Sequence, residues 1–292
     1  MPSTPPVPRP VLRPGVHVVR RDDRHLQVGV EPPRAAVLPD TPATRRLLEV
    51  LRRGEPLEPA TPEQERLLRL LRQHELLVDA TGRDAVLRGA ADRCAAAGLL
   101  AAAGDEAPRL AAARARTRVA VEAPVDLRSG LVRLLRSAAL DVAAERAGAD
   151  LVVVLSDTVL PREALDPLVR EGRPHLVVEP RPGGLEIGPL VAPGATACLR
   201  CVDAHRAEAD PRRAMVLEQC VEATRTVGAV PRDPALLAAA SALAASEVTC
   251  WADGGRPLTW SGSLLLRPGT PPEHQRWRRH PHCGCAWDQL AG

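Results

Sequence analysis

Cys198 and Cys201 form a Cys-x-x-Cys pair, and Cys283 and Cys285 form a Cys-x-Cys pair near the end of the chain. No other feature limits the fold as strongly, because two such turns on one ion bring the tail back to the middle of the sequence. Thiolates at the four positions supply the tetrahedral sulfur set that Zn²⁺ prefers. Gly284 lets the Cys-x-Cys turn tighten enough to aim both sulfurs the same way. A site closed by four thiolates leaves no position for water or substrate, so the pattern predicts a structural staple that contributes directly to folding free energy. Two alternatives stay open. Cys198 and Cys201 alone could be a redox dithiol, a reading that the second pair weakens, and His280 or His282 could replace one cysteine. Cys94, Cys220 and Cys250 sit in Ala- or Val-rich helical contexts and read as buried thiols, with Cys220 as an alternative covalent nucleophile.

The opening MPSTPPVPRPVLRPG is proline-rich, lacks the apolar core of a secretory signal and is expected to be a mobile tail. The expected compartment is the cytoplasm, where seven cysteines are thiols or metal ligands rather than disulfides. No run of about 18 apolar residues predicts a membrane span. All 39 basic residues are arginine, balanced by 36 acidic ones to a net charge of +3, so the total charge calls for no nucleic-acid partner. The absence of lysine excludes a lysine-dependent phosphate loop and a Schiff base.

At 292 residues there is room for two domains. Within 1–80, HVV and LQVGV predict a β-hairpin across the polar RDDR turn. A helix follows Thr41 as N-cap, with Pro42 at its first position and Gly54 at its end. A second helix opens on the capping box Thr61–Gln64 and presents Leu67, Leu68 and Leu71 on one face. ELLV (75–78) would close a small winged-helix-like α+β module. Residues 81–116, rich in Ala and Arg, predict one or two linking helices. Residues 117–292 alternate strands and helices: a strand at Arg118–Val121, a helix with Asp126 as N-cap, the apolar run Leu151–Leu155, helix PREALDPLVREG and strand PHLVVE. That order predicts a parallel, doubly wound sheet. The small-residue helix ALLAAASALAASEV would pack against it, and PLTWSGSLLLRPG would be a terminal strand or hairpin. Trp251, Trp260, Trp277 and Trp287 are expected to pack around the cysteine site, with an exposed aromatic docking patch as the alternative; His25, His74 and His175 read as surface or satisfied core histidines, and His205 and His274 have no visible partner.

IGPLVAPGATACLRCVDAHRAEADP (187–211) resembles the first zinc knuckle of the ThiF/MoeB superfamily, and HPHCGC (280–285) resembles its second. The chain is most similar to an actinobacterial branch related to cyclodehydratases, whose members bind precursor leader peptides in the biosynthesis of azole-containing peptides. The likeness extends more loosely over about Thr117 to Trp287. It implies a truncated Rossmann-like, ThiF-type sheet with a zinc staple, and an N-terminal module that holds a leader peptide.

Active members of that superfamily adenylate a carboxylate with ATP and Mg²⁺, using a glycine-rich turn after the first strand so that backbone amides reach the phosphates. Here the turn is VAVEAPVDLRSG, with Gly130 already inside the helix, Glu122 adding negative charge and Asp126 competing for an amide. Arg128 and Asp157 are the weak remaining candidates for a nucleotide site, with Arg133 beside them and Asp141 or Glu145 as ribose readers. ATP and Mg²⁺ are therefore not expected. The resemblance then implies a non-catalytic protein that presents a precursor peptide to a partner cyclodehydratase. The alternative is an ATP-dependent adenylating or sulfur-transfer enzyme with an unusual nucleotide site. A homodimer would fit the superfamily. DNA binding by the arginine-bearing helices is a third class, but Glu49, Glu63 and Glu65 give those helices ordinary solvated faces.

Overall fold

The structure, a computed structural model, describes residues 9–57, 61–227 and 233–286. The chain forms two compact units, Met1–Ala112 and Ala113–Gly292. The first holds β1 (Pro10–Leu12), β2 (Val18–Arg20), β3 (His25–Val28), β4 (Ala36–Pro39), α1 (Pro42–Arg53), α2 (Pro62–Gln73), β5 (Leu77–Asp79), α3 (Ala80–Gly89) and α4 (Arg93–Ala103), and α5 (Ala107–Arg116) crosses the division.

Local signals account for most of this unit. Thr41 Oγ1 accepts from Thr44 N–H, and Gly54 closes α1 at φ 71°. Both halves of the Thr61–Gln64 capping box are made. Leu47, Leu51, Leu67, Leu68 and Leu71 bury against Leu26, Val28 and Leu38 of the sheet β2-β3-β4. The expected hairpin thus gains a third strand, β4, whose four residues are too few for their alternation to stand out. The proline-rich opening is also not all tail. Pro10–Leu12 pairs antiparallel with β5, because Val11 and Val78 bury each other. Three helices replace the expected one or two after residue 80, since Asp92 caps a new start by accepting from Cys94 and Ala95 amides. Buried Arg13 donates to the Ala101 and Ala102 carbonyls, placing a cation at the C-terminus of α4 where the helix dipole favours one. Arg53–Glu49 and Arg69–Glu65 are surface ion pairs, as a solvated helix face would have.

The second unit continues with β6 (Arg118–Glu122), α6 (Val125–Ser137), β7 (Asp141–Ala143), β8 (Leu151–Leu155), α7 (Asp166–Arg170), β9 (His175–Arg181), β10 (Gly184–Val191), α8 (Leu199–Ala209), α9 (Arg213–Val227), α10 (Pro234–Ala252), β11 (Gly262–Leu266) and β12 (Glu273–Arg276). One sheet runs β12-β11-β10-β9-β8-β6-β7. Strands β7, β6, β8 and β9 are parallel, the Rossmann-like part expected from the alternation. From β9 onward the sheet turns antiparallel. Only Pro182 and Gly183, the latter at φ 71°, join β9 to β10, and so short a link cannot cross over a sheet.

The run Leu151–Leu155 is apolar throughout because both faces are covered. Val153 and Leu155 face one cluster with α6 and α10; Val152 and Val154 face another with α7, α8 and the cysteines. Helix α10 is long and apolar enough to meet the length-and-hydropathy criterion for a membrane span, yet Ala240, Ala244 and Val248 bury in the core. Its buried Glu247 accepts two hydrogen bonds from Thr259, each 2.7 Å. Helix α6 begins two residues earlier than expected. Pro124 occupies the N-cap, and Asp126 lies in the first turn rather than capping it.

Candidate functional site

Two segments of the second unit build the cysteine cluster. Cys198 is the N-cap of α8 and Cys201 lies in its first turn, while Cys283 and Cys285 flank Gly284 at the start of a 3-10 turn. Cys198 Sγ lies 3.7, 3.6 and 3.5 Å from the sulfurs of Cys201, Cys283 and Cys285, and Cys201 Sγ lies 3.2 Å from that of Cys285. A metal at about 2.3 Å from each of four tetrahedral sulfurs spaces them about 3.8 Å apart. The four donors therefore need only small shifts to hold an ion, and the set is compatible with zinc.

Electrostatics point the same way. Hydrogen bonds with Cys198 lower the thiol of Cys201 to about 6 and those of Cys283 and Cys285 to about 7. Cys198 itself is pushed up by its bonds to the other three. Four thiols this close in a buried space cannot all ionise without a compensating cation, and a dication supplies that charge. Convergence of four sulfurs on one point also separates this group from an isolated dithiol. Trp277 buries beside it with its Nε1–H on Ser263, whereas Trp251 and Trp260 pack on the opposite face of the sheet. Trp287 lies outside the described residues.

The expectations for the other cysteines and for His205 and His274 change. Cys94 and Cys220 are exposed, and Cys250 is half-buried. In α4 the buried positions are Ala96 and Leu100, which leaves Cys94 outside the packed face. His280 aims Nε2 at Glu208, 3.0 Å away, and His282 is exposed. His205 and His274 have partners, the carbonyls of Arg278 and Leu258. His25 meets Asp22, His74 meets the Pro33 carbonyl, and His175 is fully buried with Nδ1 on the Arg173 carbonyl.

The carboxyl ends of the adjacent parallel strands β6 and β8 form the crevice where such sheets place ligands. Here the β6–α6 turn is Glu122-Ala123-Pro124, and Pro124 brings no N–H to the helix N-terminus. Glu122 pairs with Arg146 at 3.8 Å. Arg128 donates to the Ala144 carbonyl, Arg133 is exposed, and Asp141 is taken by Arg118. Glu145 is exposed, and Asp157 is half-buried just after β8.

Sequence reasoning missed a buried ionic network on the cysteine face. Arg162 bridges Glu179 at 2.9 Å and Asp203 at 2.6 Å, Arg181 joins Glu179 to Glu186, and Arg206 reaches Glu186 at 2.6 Å. Burial works against the Arg162 charge, but Asp203 and Glu179 more than reverse it and raise its pKa. The available signal was a glutamate inside each of two apolar strands, β9 and β10. A cavity of about 390 Å³ opens beside Arg162 and Asp203, floored by Ala204, Ala207, Leu217 and Val221 of α8 and α9.

Solved structures share this architecture. A heterocyclase in complex with substrate and cofactor superposes with a TM-score of 0.65 at 20% identity, over 96% of this chain and 39% of that one. The heterocyclase TruD gives 0.68 at 20% identity, over 96% and 43%. E. coli MccB with ATP gives 0.60 at 12% identity, over 94% and 99%. This is the fold of TruD and MccB. The likeness agrees with the ThiF/MoeB-type resemblance carried by the cysteine segments. The chain spans about two fifths of the length of the two heterocyclases. No protein-family model matches it, and no curated protein matches it by sequence.

Proposed function

We propose that the chain is a zinc-stapled, ThiF-like binding protein that engages a precursor peptide and presents it to a cyclodehydratase, without adenylating a substrate itself. The observation that carries this reading is the β6–α6 turn. A phosphate needs convergent backbone amides there, and the turn supplies a proline at the N-cap and a carboxylate at Glu122. Zinc at Cys198, Cys201, Cys283 and Cys285 would be structural, since four sulfurs close its coordination sphere. Peptide recognition falls to the winged-helix-like first unit, whose three-stranded sheet ends in β2 and β4, edges that pair with no further strand among the described residues and can take an added one.

Titration calorimetry of Mg·ATP into the metal-loaded chain tests the central point. No heat at millimolar nucleotide, from a protein that melts cooperatively, is the expected result. Micromolar binding would overturn it and favour the adenylating reading, with Asp157 and Arg128 as the first residues to replace.

A further inference from the structure

A second group of metal-type donors lies beside the cysteine cluster. His205 and Glu208 stand three apart on α8 and share a helix face, and His280 reaches them from the segment leading into Cys283. Glu208 Oε1 is 3.0 Å from His280 Nε2 and 3.6 Å from His205 Nδ1, and the three donor atoms all lie within 4.8 Å of one another. Nitrogen and oxygen ligands at about 2.0–2.2 Å from a tetrahedral ion stand about 3.3–3.6 Å apart. Little has to move.

Hydrogen bonding sets the ring of His205 for this role. Its Nε2 lies 2.9 Å from the Arg278 carbonyl, which can only accept, so Nε2 carries the proton and Nδ1 offers a lone pair. That lone pair faces the Glu208 carboxylate, and two acceptors brought together are satisfied by a shared cation. An outer partner that fixes the tautomer is the support metal-bound histidines generally have. His280 is set differently: Nδ1 accepts from the His282 N–H at 3.2 Å, so the neutral ring donates Nε2–H to Glu208. A cation at Nε2 displaces that proton, Nδ1 takes one up, and the His282 contact is given up. Buried His280 and the Trp277 ring, 6.2 Å from His205, hold the rings in place, while Glu208, 66% exposed, leaves the site open to solvent.

We infer that His205, Glu208 and His280 bind a second divalent cation of the Zn²⁺, Co²⁺, Ni²⁺ class, with one coordination position left to water. Two nitrogens and a carboxylate without sulfur make it a weaker and more exchangeable site than the cysteine cluster. This inference does not depend on the peptide-binding reading.

Co²⁺ titrated into metal-free, reduced protein separates the two sites. The first equivalent should produce the thiolate-to-cobalt charge-transfer band. A second should bind without adding to that band and should quench tryptophan fluorescence through Trp277. Glu208→Gln should keep the first equivalent and its band, which shows the fold intact, and weaken the second by at least about 10-fold. His205→Gln should do the same. Saturation at one equivalent in the wild type, or a second equivalent unchanged in Glu208→Gln, would overturn the assignment.

Discussion

At the residue scale, the cysteine cluster and its neighbours set the chemistry of the second unit. Replacing one cysteine removes one of the four donors that would close a metal site, and the remaining three hold an ion less tightly. Cys283→Ser is expected to remove the tightly bound metal and to lower stability by roughly 3–5 kcal/mol, the range for breaking a buried charge pairing. Metal analysis and a thermal melt check this, and a chelator should then destabilise the wild type but not the variant. His175 makes a separate prediction. Burial pushes its imidazole pKa below 6.5, with the bond to the Arg173 carbonyl only partly opposing it. The unfolded chain therefore takes up a proton below about pH 6.5 that the folded chain resists. This contribution is fully present above pH 6.5 and is lost as pH falls toward the lowered folded value, at no more than about 1.4 kcal/mol per pH unit. His175→Met, which also removes a buried Nε2 without a hydrogen-bond partner, should flatten the melting temperature between pH 6.5 and 5 at equal metal loading.

At the scale of elements, α10 and β10 show how small residues permit close packing. Ala240 and Ala244 are fully buried where α10 meets α6 and the sheet. Ala244→Leu would force three extra carbons into that contact and should cost about 1–3 kcal/mol, whereas exposed Ala242→Leu should change little. Denaturant melts of the two variants distinguish the packed face from the open one. Gly188 belongs to the same argument. At φ 105°, a Cβ there would sit 2.4 Å from the Gly262 carbonyl of the neighbouring strand, so only glycine fits this irregular part of β10.

At the scale of the whole molecule, the peptide-binding reading can be located on the first unit. Bonds from Gly29 N–H to the His17 carbonyl and from Arg21 N–H to the His25 carbonyl turn the odd-numbered residues of β2 toward β3. Alternation leaves the Val18 amide on the open side of β2 and, by the register of β3 with β4, the Val37 amide on the open side of β4. Proline at either position removes an outward donor and spares the ladder. Val18→Pro or Val37→Pro should abolish binding of a labelled precursor peptide by anisotropy while leaving the melt unchanged, and the variant that does so identifies the edge used. Unchanged affinity in both would remove strand addition from the proposal.

The sequence by itself determined what depends on neighbours a few residues apart. Thr41, Gly54 and the Thr61–Gln64 box place helix ends through bonds that close within one turn. Five apolar residues at Leu151–Leu155 announce a strand covered on both faces, and the spacing of the cysteine pairs points to one shared site before any fold is known. Only the tertiary structure decided that the sheet turns antiparallel after β9 and that Pro10–Leu12 joins β5. It alone brought Arg162 between Glu179 and Asp203, and carried His280 to His205 and Glu208. Periodicity reports which face of an element is buried, but not which distant element covers it. Partners far apart in the chain meet only once topology and register are set.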